Sequence, residues 1–453
     1  MEAYTVTAIN ETNERVLQRA AGCALICEGG VTLGCQVGVR FSGVLSRTPL
    51  EKAGMARSPS KPLFMAYEFP PAGFVFWPVG TGDSTTVVVD KDDAVLQVDL
   101  HHLSKSEDDD EVHVPIVDEL VRLLPKRDGR PYLAGFALTH PDKDHIRGFA
   151  DLLDRVDIGQ IWHTPRIFRE YEEDLCDDAC AFKEEVERRR EVTMEEGEDT
   201  PSGDRVLVIG HDDVFSEGTY KDFPERWRAF PGKCYTDLDG TDHSDAFQAF
   251  IHAPFKDGSA GERNETSLAL HFTVQNDGGE GRVLLLGDLS YPSLRRVVDK
   301  TKEKERQHRL DCEGLLAPHH CSKSAMYWKG EGDDEAVLKQ DILDDFEEAL
   351  GDDGRVIASC DETFSDEKGR NPPHLRARRR YEEIVADGHF VCTHEYGAPV
   401  SFRVAADGCT LEEAETTQTQ DERDTPKKTA ADAVREARGT TAPPTQEVGF
   451  GSR

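Results

Sequence analysis

Apolar positions in this chain gather into short runs separated by turns, and their period changes along the sequence. Phe74 to Val79, Thr86 to Val89 and Val95 to Leu100 follow one another closely, which predicts three strands in an antiparallel opening. Val114 to Leu124 switches to i, i+3, i+4 spacing and predicts a helix. Tyr132 to Leu138 is again a continuous apolar strand, and Ile146 to Val156 predicts the helix after it. The alternation then recurs. Ala246 to Ile251, Ser267 to Phe272 and Val283 to Asp288 predict strands, Tyr291 to Lys300 predicts a helix, and Leu310 to Ala317 leads into a polar loop. Helices are expected at Ala336 to Leu350 and His374 to Val385, with strands at Arg355 to Ser359, Phe390 to Cys392 and Val400 to Val404. Strands and helices interleaved in this way predict an α/β domain over residues 71–411.

Three stretches depart from that rhythm. Residues 1–70 alternate only weakly, around Val31 to Val44, and read as a β-rich extension with a hairpin. Residues 165–245 are acidic and poor in apolar residues. Phe168 to Met194 reads there as a solvated helix or helical hairpin and Arg205 to Gly210 as a strand, an insertion expected either to cap the site or to decorate the surface. Residues 412–453 carry too few large apolar side chains to offset the entropy of ordering and read as a disordered tail.

Charge changes the picture more than size does. Lys and Arg number 54 against 88 Asp and Glu in 453 residues, a net charge of −34 spread along the whole chain. Such a charge keeps a protein soluble and repels phosphate polymers at long range, and it equally suits a high-salt cytoplasm where screening is strong. No run of about 18 apolar residues exists and the N-terminus lacks a basic-then-apolar leader, so a cytoplasmic protein that does not span a membrane is expected. The 11 cysteines are odd in number and unpatterned, as reduced thiols would be. Cys23, Cys27 and Cys35, or Cys176 with Cys180, are the alternatives as zinc ligands, although neither set offers the paired C-x-x-C geometry.

The chemistry concentrates directly after Tyr132 to Leu138. The turn Thr139-His-Pro-Asp-Lys-Asp-His145 packs His140, Asp142, Asp144 and His145 at a strand end, and imidazole nitrogens and carboxylate oxygens are donors that divalent zinc, manganese or iron accept. The pattern resembles the metallo-β-lactamase fold superfamily, with Asp142 where the common H-x-H-x-D-H signature has its second histidine. That departure is typical of the branch containing the hydrolase domain of the DNA-uptake protein ComEC and its soluble relatives. Val79-Gly-Thr-Gly-Asp-Ser84, Val95 to Asp99, Ile251-His-Ala-Pro254, Asn264-Glu-Thr-Ser-Leu268, Val283 to Asp288 and Leu316 to Lys323 resemble further elements of that branch in the same order. Cys321 replaces a glycine of its H-H-G-S-K loop.

The resemblance implies an αββα sandwich, two mixed β-sheets packed face to face with helices outside, holding two divalent ions, Zn²⁺ or Mn²⁺. By it, His140 and Asp142 hold the first ion, Asp144 and His145 the second, and Asp288 bridges. His319 completes the second, with His320 as its competitor. The third ligand of the first site falls on Asn264, an oxygen donor that would favour manganese there. Asp144 or Asp288 would orient the attacking water. Ser322 and Lys323 would meet a phosphate oxygen, Lys323 being otherwise an ordinary surface lysine. Asp83 and Asp99 are expected to orient ligands, and His374 to lie close to the site. Arg376, Arg378, Arg379 and Arg380 could grip a nucleic-acid backbone or pair with acidic neighbours such as Glu382 and Glu383. His394 has a similar split, while His101, His102, His163 and His211 read as structural or exposed.

The function implied by the resemblance is a metal-dependent phosphodiesterase, foremost a DNA nuclease, with DNA processing or antiphage defence as its setting and a regulatory protein partner possible. A hydrolase of a small phosphodiester, nucleotide or carboxyl ester is the second reading, and an inactive binding or regulatory protein the third. The full set of candidate ligands counts against the third.

Overall fold

A computed structural model describes residues 67–103, 113–169, 175–256, 263–330 and 332–412. The expected hairpin at Val31 to Val44, the cysteines Cys23, Cys27 and Cys35, and the tail beyond Glu412 lie outside the described residues.

Two mixed sheets face each other. The first is a 10-stranded sheet whose order runs Gly408–Leu411, Val400–Ala405, Gly73–Phe76, Thr85–Asp90, Ala94–Val98, Arg130–Ala137, Asp157–His163, Arg205–Ile209 and Arg228–Ala229, with Lys126–Arg127 paired at its side. Its early strands are antiparallel; from Ala94–Val98 onward the pairing is parallel. The second, a 7-stranded sheet, runs Phe390–Cys392, Arg355–Ala358, Gly314–Leu316, Gly279–Leu285, Ala269–Asn276, Phe247–Ala253 and Cys234–Tyr235. It is parallel from Gly279–Leu285 to Phe390–Cys392.

The side-chain period of two assigns the layers. Phe74, Phe76, Val87, Leu96 and Val98 point inward and meet Ile251, Leu270, Phe272, Val283 and Phe402 in one core between the sheets. Their neighbours Val75, Val88 and Val95 point outward beneath Ile116, Leu120, Phe149, Leu152 and Phe182 of the helices on that face. On the opposite face Leu284, Leu286 and Val356 pack under Leu294, Val298, Ile342, Phe346 and Tyr381. Strands covered on both faces read as unbroken apolar runs, as VLLLGD and FVFWPV do. The result is the expected αββα sandwich.

Two expectations are corrected. The run expected as one helix from Ile146 to Val156 is broken: a short turn Lys143–Ile146 ends at Arg147, and Gly148, at φ 96°, starts a new helix Phe149–Arg155. More consequentially, the helix expected to be solvated within the insertion 165–245 has a buried face. The helix Asp177–Glu196 buries Ala179, Phe182, Val186, Arg189 and Thr193, while Arg205–Ile209 and Arg228–Ala229 extend the first sheet. Its apolar positions are sparse because Arg189 fills a core position, satisfied by Glu185 Oε1 at 2.8 Å and by carbonyls of Ile158 and Gly159 at 2.9 and 3.2 Å. Cys176 and Cys180 are both free thiols. Among the described residues no helix is long and apolar enough to cross a membrane.

Candidate metal centre

The parallel strands of both sheets end along one edge, where α/β sheets present their ligand crevices. Asp99 follows Ala94–Val98, His140 to His145 follow Arg130–Ala137, Asp288 follows Gly279–Leu285, and His319 and His320 follow Gly314–Leu316. These side chains converge.

Asp99 holds the first wall. At φ 55° it leaves its strand in a left-handed turn that a short polar side chain tolerates. Its carboxylate accepts the Thr139 N–H at 2.8 Å and the Thr139 hydroxyl at 2.7 Å, and lies 2.8 Å from His145 Nδ1. Asp83 behaves alike toward His320, with Oδ1 3.1 Å from Nδ1. Its other oxygen lies 4.0 Å from His145 Nδ1, so Asp83 stands behind both rings and turns their Nε2 atoms into the site, as carboxylates beside metal-binding histidines do. A side chain at Gly82 is impossible there: a Cβ would lie 2.1 Å from His101 Nδ1 and 2.7 Å from the Asp144 carbonyl.

Asp288 divides the donors into two sets. Its Oδ1 is 3.2 Å from His145 Nε2 and 3.7 Å from His320 Nε2. The two Nε2 atoms are 3.2 Å apart, and Asp144 Oδ2 is 3.4 Å from His320 Nε2. Donors about 2.0–2.2 Å from one tetrahedral ion are about 3.3 Å from each other, so this set fits such an ion. On the other side Asp288 Oδ2 lies 3.6 Å from His140 Nε2 and 3.5 Å from His319 Nε2, with Asp142 Oδ2 3.7 Å from His140 Nε2. His140 Nε2 is buried without a hydrogen-bond partner, a cost of about 1–3 kcal/mol that a bound ion would remove.

Electrostatics match that geometry. Burial disfavours the charged rings of His145 and His320, but Asp288 with Asp99 for the first, and Asp288 with Asp83 for the second, hold both well above the ordinary histidine value. Burial likewise opposes ionisation of Asp144 and Asp288. The surrounding histidines overcome it and keep both carboxyls well below their usual range.

The loop carrying His319 and His320 is the strained part. His319, His320 and Cys321 have φ of 50°, 52° and 63°, a run of left-handed residues that costs about 1–2 kcal/mol at each non-glycine position. It is held by the His319 N–H on the Gly287 carbonyl at 3.0 Å and the His374 N–H on the Cys321 carbonyl at 3.1 Å. His374 Nδ1 also accepts the Lys323 N–H at 3.3 Å, so His374 clamps the loop rather than entering the donor set.

This run decides which histidine serves which side. His320, not His319, stands beside Asp144 and His145, and His319 stands beside Asp288 Oδ2 on the His140 side. His319 thus faces the side on which the resemblance places Asn264. Asn264 shows no side-chain contact to His140 among the described residues; its carbonyl accepts the Ser267 hydroxyl at 2.7 Å. Both sides then offer two imidazoles and carboxylate oxygen, and the argument for manganese at the first site loses its basis. Ser322 uses its hydroxyl oxygen to cap the following turn, accepting from Ser324 N at 3.3 Å. Lys323 is half-exposed and makes no ion pair among the described residues.

The arginines form no free patch. Arg378 pairs with Glu382 and Glu395, Arg380 with Glu383, and Arg376 with Asp366 at 3.8 Å. Only Arg379 is exposed without an ion pair among the described residues. His101, read as structural or exposed, is buried against Gly82 beside the centre, where burial lowers its pKa to about 3 and Asp144 opposes the shift.

No protein-family model and no curated protein matches the chain. Among solved structures, the metallo-β-lactamase fold protein YhfI from Bacillus subtilis is 13% identical, with a TM-score of 0.32 over 71% of this chain and 96% of that one. The metallo-β-lactamase GOB-18 from Elizabethkingia meningoseptica is 14% identical, with a TM-score of 0.28 over 68% and 96%. The class B3 di-zinc metallo-β-lactamase LRA-12 from an Alaskan soil metagenome is 11% identical, with a TM-score of 0.27 over 63% and 90%. At such scores these likenesses carry no argument about this chain, whose sandwich and candidate metal centre rest on its own strand pairing and donor geometry.

Proposed function

We propose that the chain is a metal-dependent hydrolase of phosphodiesters, with DNA as its substrate class and two divalent ions held about Asp288. The observation that supports this reading is the division of donors by one shared carboxylate, Oδ1 facing His145 and His320, Oδ2 facing His140 and His319. Ions held by such a donor set would supply Lewis acidity and bring the pKa of bound water down toward neutrality. The protein's part is orientation and access. Asp99 and Asp83 fix the rings, and the depressed pKa values keep Asp144 and Asp288 ionised. Asp142, Asp144 and His319 are 28%, 37% and 25% exposed, so substrate enters past them while His140, His145, His320 and Asp288 stay buried. Lys323, next to the histidine loop, offers a point charge to a phosphate oxygen.

A small phosphodiester is the second reading, favoured by the pairing of Arg376, Arg378 and Arg380 with acidic neighbours, which occupies these three cations that could otherwise grip a polymer backbone. The experiment is cleavage of labelled single- and double-stranded DNA and of bis(p-nitrophenyl) phosphate by metal-stripped protein resupplied with Zn²⁺ or Mn²⁺, beside Asp144→Ala. Metal-dependent DNA cleavage lost in the variant supports the nuclease. Cleavage of the small ester alone moves the substrate to the second reading. Metal bound without turnover of either would sink the phosphodiesterase.

A further inference from the structure

A second group of metal-ligating side chains lies outside the centre about Asp288. His113 precedes the helix Ile116–Leu123, Asp361 follows the strand Arg355–Ala358, and His394 sits in the turn Thr393–Tyr396. One donor atom from each lies within 4.8 Å of the others. His113 Nε2 is 2.8 Å from Asp361 Oδ1, and His394 Nδ1 is 3.8 Å from that same oxygen. His394 Nδ1 is buried and has no hydrogen-bond partner, although its ring packs 5.3 Å from that of His113. Its other nitrogen faces Glu362 at 3.7 Å, so the ring is oriented from behind with Nδ1 aimed at the cluster.

We propose that His113, Asp361 and His394 bind a divalent transition-metal ion of the zinc class at a site separate from the hydrolase centre. Two imidazole nitrogens and a carboxylate oxygen are donors that zinc accepts, and among the described residues no cysteine belongs to the group, Cys392 Sγ lying instead 3.9 Å from the Asp361 carbonyl. Ion-to-donor distances of about 2.0–2.2 Å place tetrahedral donors about 3.3 Å apart, and the distances of 2.8 and 3.8 Å straddle that value, within reach of small side-chain rotations. The fourth position opens on a cavity of about 580 Å³ lined by Thr81, Arg370 and Asn371. Three protein donors and one open position make a site that exchanges water or a small ligand, unlike a closed structural site. The cluster also joins chain segments far apart in sequence, so the ion would tie the first sheet's connection at His113 to the second sheet's loops.

The full-length protein is stripped with a chelator and reloaded with Zn²⁺ alone, and bound zinc is measured per chain. His394→Ala and Asp361→Asn should each lose one equivalent relative to wild type. In a His140→Ala, Asp288→Asn background one equivalent should remain and vanish when His394→Ala is added; with Co²⁺ the visible absorption of that background should follow the same pattern. Equal zinc in wild type and His394→Ala overturns the site, whatever the main centre does. Zinc lost from the His140→Ala, Asp288→Asn protein, if that variant still melts cooperatively, overturns it too. His394 lies in a surface turn, which keeps the single variant foldable, and the wild-type comparison needs no background variant.

Discussion

At the scale of single residues, backbone strain and charge pull on the same loop. Cys321 occupies a left-handed position at φ 63° with its thiol buried. Cys321→Gly removes about 1–2 kcal/mol of strain and forfeits a similar amount in lost burial and chain entropy, so its thermal midpoint should stay within a few degrees of wild type. Cys321→Val keeps the bulk but places a β-branched side chain at positive φ, and should lose about 2–3 kcal/mol in denaturant titrations. Equal stability of the two variants would mean the strain is absent. The titrating groups make a pH prediction for chelated protein. Asp144 and Asp288, with folded pKa values below the unfolded value of about 4, add stability above that pH and lose it as pH falls. His145 and His320, raised above about 6.5, add stability that is complete below that pH and lost as pH rises through their folded values. The melting temperature should therefore fall from about pH 6.5 to 9, and Asp288→Asn should flatten that fall; a midpoint that climbs over this range contradicts it. The turn from His140 to His145 was legible because its donors are contiguous on a strand end. The division of His319 from His320 was not, since three successive positive φ values decide it. His113, Asp361 and His394 share no motif at all.

Among the elements, the helix Asp177–Glu196 separates composition from role. Its sequence looked solvated because charged residues crowd it, yet Phe182 is fully buried against Phe136 and Phe149, with ring centroids 5.9 and 5.1 Å away. Phe182→Ala should destabilise the protein by about 3–5 kcal/mol, measured by chemical denaturation, where a solvated arm would show almost no change. Arg189→Ala should cost about 3–5 kcal/mol as well, because it leaves the Glu185 carboxylate and buried carbonyls without their donor. Strands buried on both faces were legible from their unbroken apolar runs, and their helices from the 3.6-residue period. The strand at Arg205 to Gly210 and a helix before it were legible, but the helix's buried face was not, because its apolar positions are few and an arginine, Arg189, shares them.

For the whole molecule, a charge of −34 sets how substrate arrives. The screening length shrinks from about 10 Å at 0.1 M salt to about 3 Å at 1 M, so repulsion of a polyanion should weaken along that series. DNA cleavage is then expected to quicken as salt rises from about 0.05 to 1 M, opposite to the usual loss of nucleic-acid binding with salt, while turnover of a small ester changes far less. A DNA rate that falls steeply instead would reveal a cationic path the described surface does not show. The edge where both sheets end has one more consequence. Because His140, Asp142, Asp144 and His145 belong to one sheet's connections and Asp288, His319 and His320 to the other's, no half of the chain carries a complete donor set. An ion bound there would be captured late in folding, and its release would be the first sign that the two halves have come apart.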